Sequence, residues 1–118
     1  MDCLIANTRD AFRFGQPNVL NYHGPNNPDT DKNRREACRN FRPIPPDRNS
    51  CDEYPYATTI QGGIQGGAGA NIRAVNIGEQ RRQGGDLSSV YRRIPPGTNG
   101  AFQVILVTPA IQGYFIFV

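Results

Sequence analysis

Two segments of the chain carry acidic and amide side chains that are suited to chemistry on a substrate. Asp52 and Glu53 are adjacent, and Glu79, Gln80 and Gln83 follow in a later segment that ends in two glycines. Sets of oxygen ligands are typical of Mg²⁺, Mn²⁺ or Ca²⁺ rather than zinc. Such an ion can stabilise charge on a phosphodiester while a carboxylate takes a proton from water.

The residue types alone leave simpler interpretations of these carboxylates open. Successive side chains of an extended strand point to opposite faces, so Asp52 and Glu53 are not expected to form one acid–base pair with each other. Asp52 would serve equally well as a cap for local backbone N–H groups. Glu79 would serve equally well as a solvent-exposed residue. The residue types alone therefore do not distinguish a metal site from capping and solvent-exposed carboxylates.

Arginine dominates the positive charge of this chain. Of the 13 basic residues 12 are arginine, and the formal net charge is +3. The planar guanidinium binds phosphate through paired hydrogen bonds and stays charged in all surroundings. This composition fits a nucleic-acid partner, although a solvated surface explains it as well.

Nothing in the sequence predicts contact with a membrane. No run approaches the roughly 20 apolar residues that a membrane helix needs. The first residues, 1–6, lack both the basic region and the long apolar region of a signal peptide. We therefore expect a domain of a longer protein that is secreted or delivered into target cells.

The three cysteines allow several pairings. A bridge between Cys38 and Cys51 would close a proline-rich loop, whereas Cys3 could pair with either of them. A structural zinc site is not favoured, because the chain has no Cys-x-x-Cys motif and a single histidine, His23. One disulfide and one free thiol, typical of an extracellular protein, is the pairing state we favour.

Periodicity and turn residues predict one α+β domain over residues 1–118, with a small antiparallel sheet and short helices. We expect residues 1–28 to be a loosely structured N-terminal arm. A short helix, capped by an Asp or Thr, should follow over 29–39, and its arginines could contact a phosphate backbone or simply be solvated. The other predicted elements are a strand over 70–77, a helix ending near 93, and a core hairpin of a strand over 101–107, buried on both faces, and a strand over 114–118.

The start of the later helix is ambiguous. An apolar stripe over 87–91 predicts the helix, but a glycine pair at 84–85 precedes it. A start near residue 78 would place both glycines inside the helix, at a cost of about 1 kcal/mol each relative to alanine. That cost would indicate close approach of backbone or ligand. A start at residue 86 would leave them in a loop.

Several ordered motifs carry a resemblance to a known family. They are CDEYPYA at 51–57, GGAGA at 66–70 leading into IRAV at 72–75, and EQRRQGG at 79–85 followed by Leu87, Ser88 and Tyr91. Together they resemble the secreted deoxyribonucleases of the NucA/NucB type, over about residues 38–107. The resemblance implies a compact nuclease with a ββα-metal-type active site, in which one divalent ion polarises the scissile phosphate.

The resemblance also implies roles for individual residues. Asp52 would be the general base, in a position where related nucleases commonly use histidine. Glu53 would orient that base or contact the water shell of the ion. Arg73 and Arg81 would hold phosphate.

Metal ligation, by the same resemblance, would come from Glu79, Gln80 or Gln83, with a single Mg²⁺ or Mn²⁺ as cofactor. The chain departs from the family at one point, since Gln80 stands where the family often has asparagine. The amide oxygen is then displaced by one methylene, and metal sites tolerate only small displacements. Either Glu79 or a rearranged Gln80 side chain would then be the metal ligand.

The expected function is therefore that of a metal-dependent, non-specific DNA endonuclease that acts as a monomer. We expect it to be the toxic C-terminal domain of a larger secreted or delivered effector, neutralised by an immunity protein in its producer. Two alternatives remain open. Gln80 and the absence of a nearby histidine would fit a catalytically inactive nucleic-acid-binding module of the same fold. A small extracellular domain stapled by cysteines would have no affinity for nucleic acid.

Overall fold

A computed structural model describes residues 3–64, 69–107 and 112–117 of the chain. The described helices are α1 (Cys3–Arg13), α2 (Asp29–Ala37) and α3 (Ile77–Arg93). The described strands are β1 (Val19–Asn21), β2 (Ser50–Tyr54), β3 (Asn71–Val75), β4 (Ala101–Val107) and β5 (Gln112–Phe117). They form two antiparallel sheets, one in the order β1-β4-β5 and one of β2 and β3. The predicted α+β class is confirmed.

The N-terminal segment corrects the expectation of a loose arm over 1–28. Helix α1 packs against β2 and β3, and β1 pairs with β4 at the edge of the larger sheet. The buried residues of α1 include Leu4, Asn7, Thr8 and Ala11, at the spacing of one helical face. This face explains why the segment is ordered.

Helix α2 and the disulfide agree with two further expectations. The helix lies within the predicted span, but its N-cap residue Pro28 makes no side-chain bond. Instead Asn27 Oδ1 accepts from the backbone N–H of Asp29 at 2.8 Å. Cys38, the residue after α2, is bonded to Cys51 in β2. Cys3 is a free thiol, so one of the open pairings is now fixed.

The disulfide should contribute strongly to stability. It closes a loop with a sequence separation of 13 residues, and by chain entropy a loop of that size contributes about 3 kcal/mol. We expect the double variant Cys38→Ser/Cys51→Ser to lose about that much free energy of unfolding in urea titrations. Cys3→Ser is the matched control and should unfold like the wild type. Equal stability of the double variant and the wild type would contradict this assignment.

The hairpin of β4 and β5 is confirmed, but the burial of β4 differs from the prediction. Phe102 and Val104 are buried, while Gln103 and Ile105 between them are partly exposed. Over 102–105 the burial of β4 therefore alternates, as in an antiparallel sheet with one face on the core. The buried core cluster consists of Ala11, Leu20, Tyr54, Tyr56, Leu87, Phe102 and Val104.

The elements β2, β3 and α3 are consecutive in the chain, and they position the candidate site. In the register of β2 and β3, Asp52 lies opposite Arg73 and Tyr54 opposite Asn71. Asn76 caps α3, because its Oδ1 accepts from the N–H of Gly78 at 2.7 Å. The helix therefore begins early, and the glycine pair lies inside it.

Candidate active site

A cleft of about 410 Å³ opens between β2, α2 and α3. It brings together four of the residues predicted from the sequence: Asp52 and Glu53 from β2, and Gln80 and Gln83 from α3. The rest of the lining consists of Arg34, Tyr56, Ala57, Thr58, Gly84, Leu87, Ser88 and Tyr91. Two carboxylates, two amides and one guanidinium thus share a single cavity.

Asp52 lies in the interior, with 2% of its surface exposed. Its Oδ2 accepts a hydrogen bond from Asn7 Nδ2 at 2.9 Å. This bond comes from α1, a segment to which the sequence had assigned no part in the site. The buried carboxylate is therefore held by the N-terminal helix.

Glu53 meets a different set of neighbours, because successive side chains of a strand point to opposite faces. Its Oε2 lies 3.8 Å from Sγ of Cys38. A disulfide sulfur has no proton to donate, so this is a contact rather than a hydrogen bond. Burial raises the pKa of Glu53 to about 7, and the nearby Arg34 guanidinium opposes the shift. A carboxyl with a pKa near neutrality is suited to proton transfer at working pH.

Gln80 lines the cleft and has a buried side-chain oxygen. Its Nε2 donates to the backbone carbonyl of Cys51 at 3.0 Å, which fixes the amide orientation because a carbonyl only accepts. The remaining Oε1 is buried and has no hydrogen-bond partner. Leaving a buried acceptor unpaired costs about 1–3 kcal/mol. Such an oxygen is a candidate to bind a cation or to accept a hydrogen bond from a substrate.

Glu79 directly precedes Gln80 in the chain, but it is not among the residues that line the cleft. Its Oε2 is also buried without a hydrogen-bond partner, while the cleft lining includes Gln80 and Gln83. Of the predicted metal ligands, the structure therefore brings the two amides to the carboxylates of β2. The assignment of Glu79 as a ligand stays a prediction.

The donor set of the cleft fits a divalent cation of the Mg²⁺ type. Within residues 3–64, 69–107 and 112–117, no group of three or more His, Cys, Asp or Glu side chains could hold a metal ion. Mg²⁺, however, is usually bound through one or two carboxylates while it keeps several waters. Glu53 and the unpaired Oε1 of Gln80 supply oxygen atoms of the required kind.

The two arginines predicted to hold phosphate are not among the residues that line the cleft. Arg73 Nη1 lies 3.2 Å from Asp10 Oδ2, in an ion pair with α1. Arg81 is exposed on α3. Their roles on phosphate stay predictions.

Arg34 of α2 lines the cleft in their place. Its Nη1 lies 3.8 Å from Asp31 Oδ1, and exposed pairs of this kind contribute little. The guanidinium therefore keeps capacity for an anionic ligand. The sequence offered only a helix rich in arginine as a signal for this residue.

His23, the single histidine, does not belong to the lining of the cleft. Its Nε2 lies 2.8 Å from Thr30 Oγ1, as expected for a hydrogen-bonded loop residue. Burial lowers the pKa of His23, and the nearby Asp29 opposes that shift. The acidic side chains that line the cleft are Asp52 and Glu53, so a proposed base for proton transfer is sought among them.

A second depression of about 480 Å³ continues from the cleft. The two share Thr58, Ser88 and Tyr91. Tyr91 stacks on Tyr22 with ring centroids 3.8 Å apart, and its hydroxyl lies 2.6 Å from Thr58 Oγ1. Burial raises the pKa of Tyr91. The neutral side chains of Tyr22, Thr58 and Tyr91 therefore pack together where the two depressions meet.

The glycine pair inside α3 provides a matched experiment. A Cβ added at Gly84 or Gly85 would meet no atom within 4 Å, but only Gly84 lines the cleft. We expect Gly84→Ala and Gly85→Ala each to stabilise the protein by about 1 kcal/mol in urea unfolding. If a substrate approaches the helix at Gly84, only Gly84→Ala should raise KM. Equal KM values for the two variants would argue against a ligand at this position.

A cleft with paired carboxylates, amide oxygens and a guanidinium fits the class of phosphodiester hydrolases. Comparison with protein families agrees, because the model of deoxyribonuclease NucA/NucB matches residues 7–105. The chain therefore belongs to the NucA/NucB deoxyribonuclease family, whose substrate is DNA, and the resemblance seen in the sequence is confirmed. No curated protein matches the chain. In the part that the structure describes, no helix is long and apolar enough to cross a membrane.

Proposed function

We propose that this chain is a metal-dependent, non-specific endonuclease that hydrolyses phosphodiester bonds of DNA in the cleft. One observation carries the proposal: Asp52, Glu53, Gln80 and Gln83 line one cleft together with Arg34, and the Oε1 of Gln80 is buried without a hydrogen-bond partner. Family membership supplies DNA as the substrate. In this proposal β2, β3 and α3 act as a ββα-metal-type unit.

Each side chain of the cleft has its own role in the proposed hydrolysis. Arg34 binds a phosphate of the DNA backbone, which every sequence presents, so cleavage does not depend on the bases. Asp52 takes a proton from the attacking water. Gln80 Oε1 and Gln83 would hold a single Mg²⁺ or Mn²⁺, and the Glu53 carboxylate would bind waters of the same ion. The ion, when bound, stabilises negative charge on the scissile phosphate and the leaving oxygen.

Plasmid cleavage tests this proposal. Purified protein is incubated with supercoiled plasmid in Mg²⁺, in Mn²⁺ and in EDTA, and the products are resolved on agarose. Nicked and linear DNA should form with a metal and not in EDTA. DNA left intact under every condition would reject the enzyme. A gel shift that weakens with salt, without cleavage, would support the inactive binding module instead.

We also propose that the domain works in an oxidising compartment or after delivery into a target cell. The disulfide between Cys38 and Cys51 supports this, since such bonds persist mainly in oxidising environments.

We further propose that the domain is toxic to cells and that an immunity protein inhibits it in its producer. Induced expression should arrest growth of a bacterial host, and Asp52→Asn should relieve the arrest. Equal arrest by both would contradict toxicity through the cleft.

A further inference from the structure

Asn7 of α1 is fully buried, and the two N–H groups of its side chain face three acceptors of the smaller sheet, so one N–H is shared between two of them. Its Nδ2 lies 2.9 Å from Asp52 Oδ2, 3.1 Å from the carbonyl of Asn71 and 3.3 Å from the carbonyl of Asp52. The carboxylate and both strands of its sheet are thus joined through one amide.

Asn71 of β3 determines which way that amide faces. Its Nδ2 donates to Asn7 Oδ1 at 2.7 Å and to the Asn7 carbonyl at 3.4 Å. Because Asn7 Oδ1 is occupied as an acceptor, the Nδ2 of the same side chain must point toward Asp52. Each member of the chain Asn71–Asn7–Asp52 therefore fixes the orientation of the next.

We propose that Asn7 is a positioning residue for Asp52, with Asn71 holding Asn7 in the required orientation. The inference rests on the proposed function, in which Asp52 acts on the attacking water. A carboxylate on two rotatable bonds can turn its oxygen atoms away from that water. Anchoring Oδ2 from α1 fixes both oxygens, and misplacement of a reacting group by about 1 Å costs on the order of 10²-fold in rate.

Removing the anchor should therefore change the rate and not the binding of DNA. We expect Asn7→Ala to lower kcat about 10- to 100-fold, with KM unchanged within about twofold, because the residue does not line the cleft. Asn71→Ala keeps the donor of Asn7 but releases its orientation. We expect this variant to lose about tenfold in kcat. Unchanged kcat in both variants would overturn the proposal.

A matched control separates positioning from loss of stability. Asn33 of α2 is equally buried, and its side chain donates to the carbonyl of Ala57 at 2.9 Å rather than to Asp52. Asn33→Ala thus removes a buried amide of the same size. Its kcat should stay near that of the wild type when both proteins are assayed well below their unfolding temperatures. An equal loss of kcat in Asn33→Ala and Asn7→Ala would assign Asn7 a structural role only.

The closing experiment is a double-mutant cycle on kcat with Asn7→Ala and Asp52→Asn. If Asn7 acts through Asp52, adding Asn7→Ala to Asp52→Asn should lower the residual rate by less than twofold. Multiplying losses would overturn the positioning role. Full activity of Asp52→Asn would instead refute the proposed role of Asp52. Variants whose melting temperatures differ by a few degrees can still be compared at low temperature. If Asn7→Ala does not fold, Asn71→Ala replaces it in the cycle.

Discussion

Asp52→Asn should lower kcat for DNA cleavage about 10³-fold, the middle of the range for loss of a general base. The substitution keeps the shape of the side chain, and Asn7 can still donate to its oxygen. It removes only the charge and basicity that accept a proton from water. KM and the affinity for a labelled duplex in EDTA should stay within about twofold of the wild type.

The control for this variant is Asp86→Asn, which neutralises an exposed carboxylate on α3 that does not line the cleft. Both substitutions change the net charge equally, so long-range attraction of DNA changes alike. Steady-state cleavage of a fluorescent duplex measures both. A rate for Asp52→Asn equal to that of Asp86→Asn would show that another group activates the water.

Glu53→Gln should stabilise the apoprotein above neutral pH while it impairs cleavage. Burial raises the pKa of Glu53 from 4.5 to about 7, so the folded state binds this proton more tightly than the unfolded state. Below about pH 4.5 both states are protonated and no penalty exists. Stability is lost as pH rises from 4.5 to 7, and above that window the penalty reaches about 3 kcal/mol.

Urea unfolding in EDTA at pH 4, 6 and 8 measures this effect. The wild type and Glu53→Gln should be similar at pH 4, and the variant should be more stable at pH 8 by up to about 3 kcal/mol. Glu36→Gln, on α2 and outside the cleft lining, is the control. A variant less stable than the wild type at pH 8 would contradict the burial penalty. Carboxylates kept for function at a cost in stability are common in active sites.

The elements with a regular apolar pattern could be predicted from the sequence. Strand β3, helix α2 and the β4–β5 hairpin follow from alternation, charge and turn residues. The sequence does not decide where α3 starts, because helix propensity disfavours two glycines. The cap of Asn76 on Gly78, together with packing of α3 against β2, outweighs that local cost.

Helix α1 could not be predicted because two of its five buried residues are polar. Asn7 and Thr8 occupy two of the positions where an amphipathic helix normally carries apolar residues. Their burial is offset by hydrogen bonds, from Asn7 to Asp52 and from Thr8 to the carbonyl of Leu4. Partners of this kind are distant in sequence or within the backbone, so no local pattern reveals them.

The candidate site also combines residues that sequence motifs predict with residues that only the tertiary packing brings in. The motif residues Asp52, Glu53, Gln80 and Gln83 meet in one cleft, as local motifs on adjacent elements allow. Arg34 joins them only through the packing of α2, which the disulfide to β2 fixes. Arg73 has an ion-pair partner on α1, the helix that the sequence did not predict.

A crystal of the protein soaked in Mn²⁺ tests the central claim most directly. Anomalous scattering should show one ion in the cleft, at coordination distance from Gln80 Oε1 and close to Glu53. The same preparation should cleave DNA in Mn²⁺ and not in EDTA. A cleft without anomalous density, in protein that still cleaves DNA, would show that the metal is not held by the oxygen of Gln80 beside Glu53.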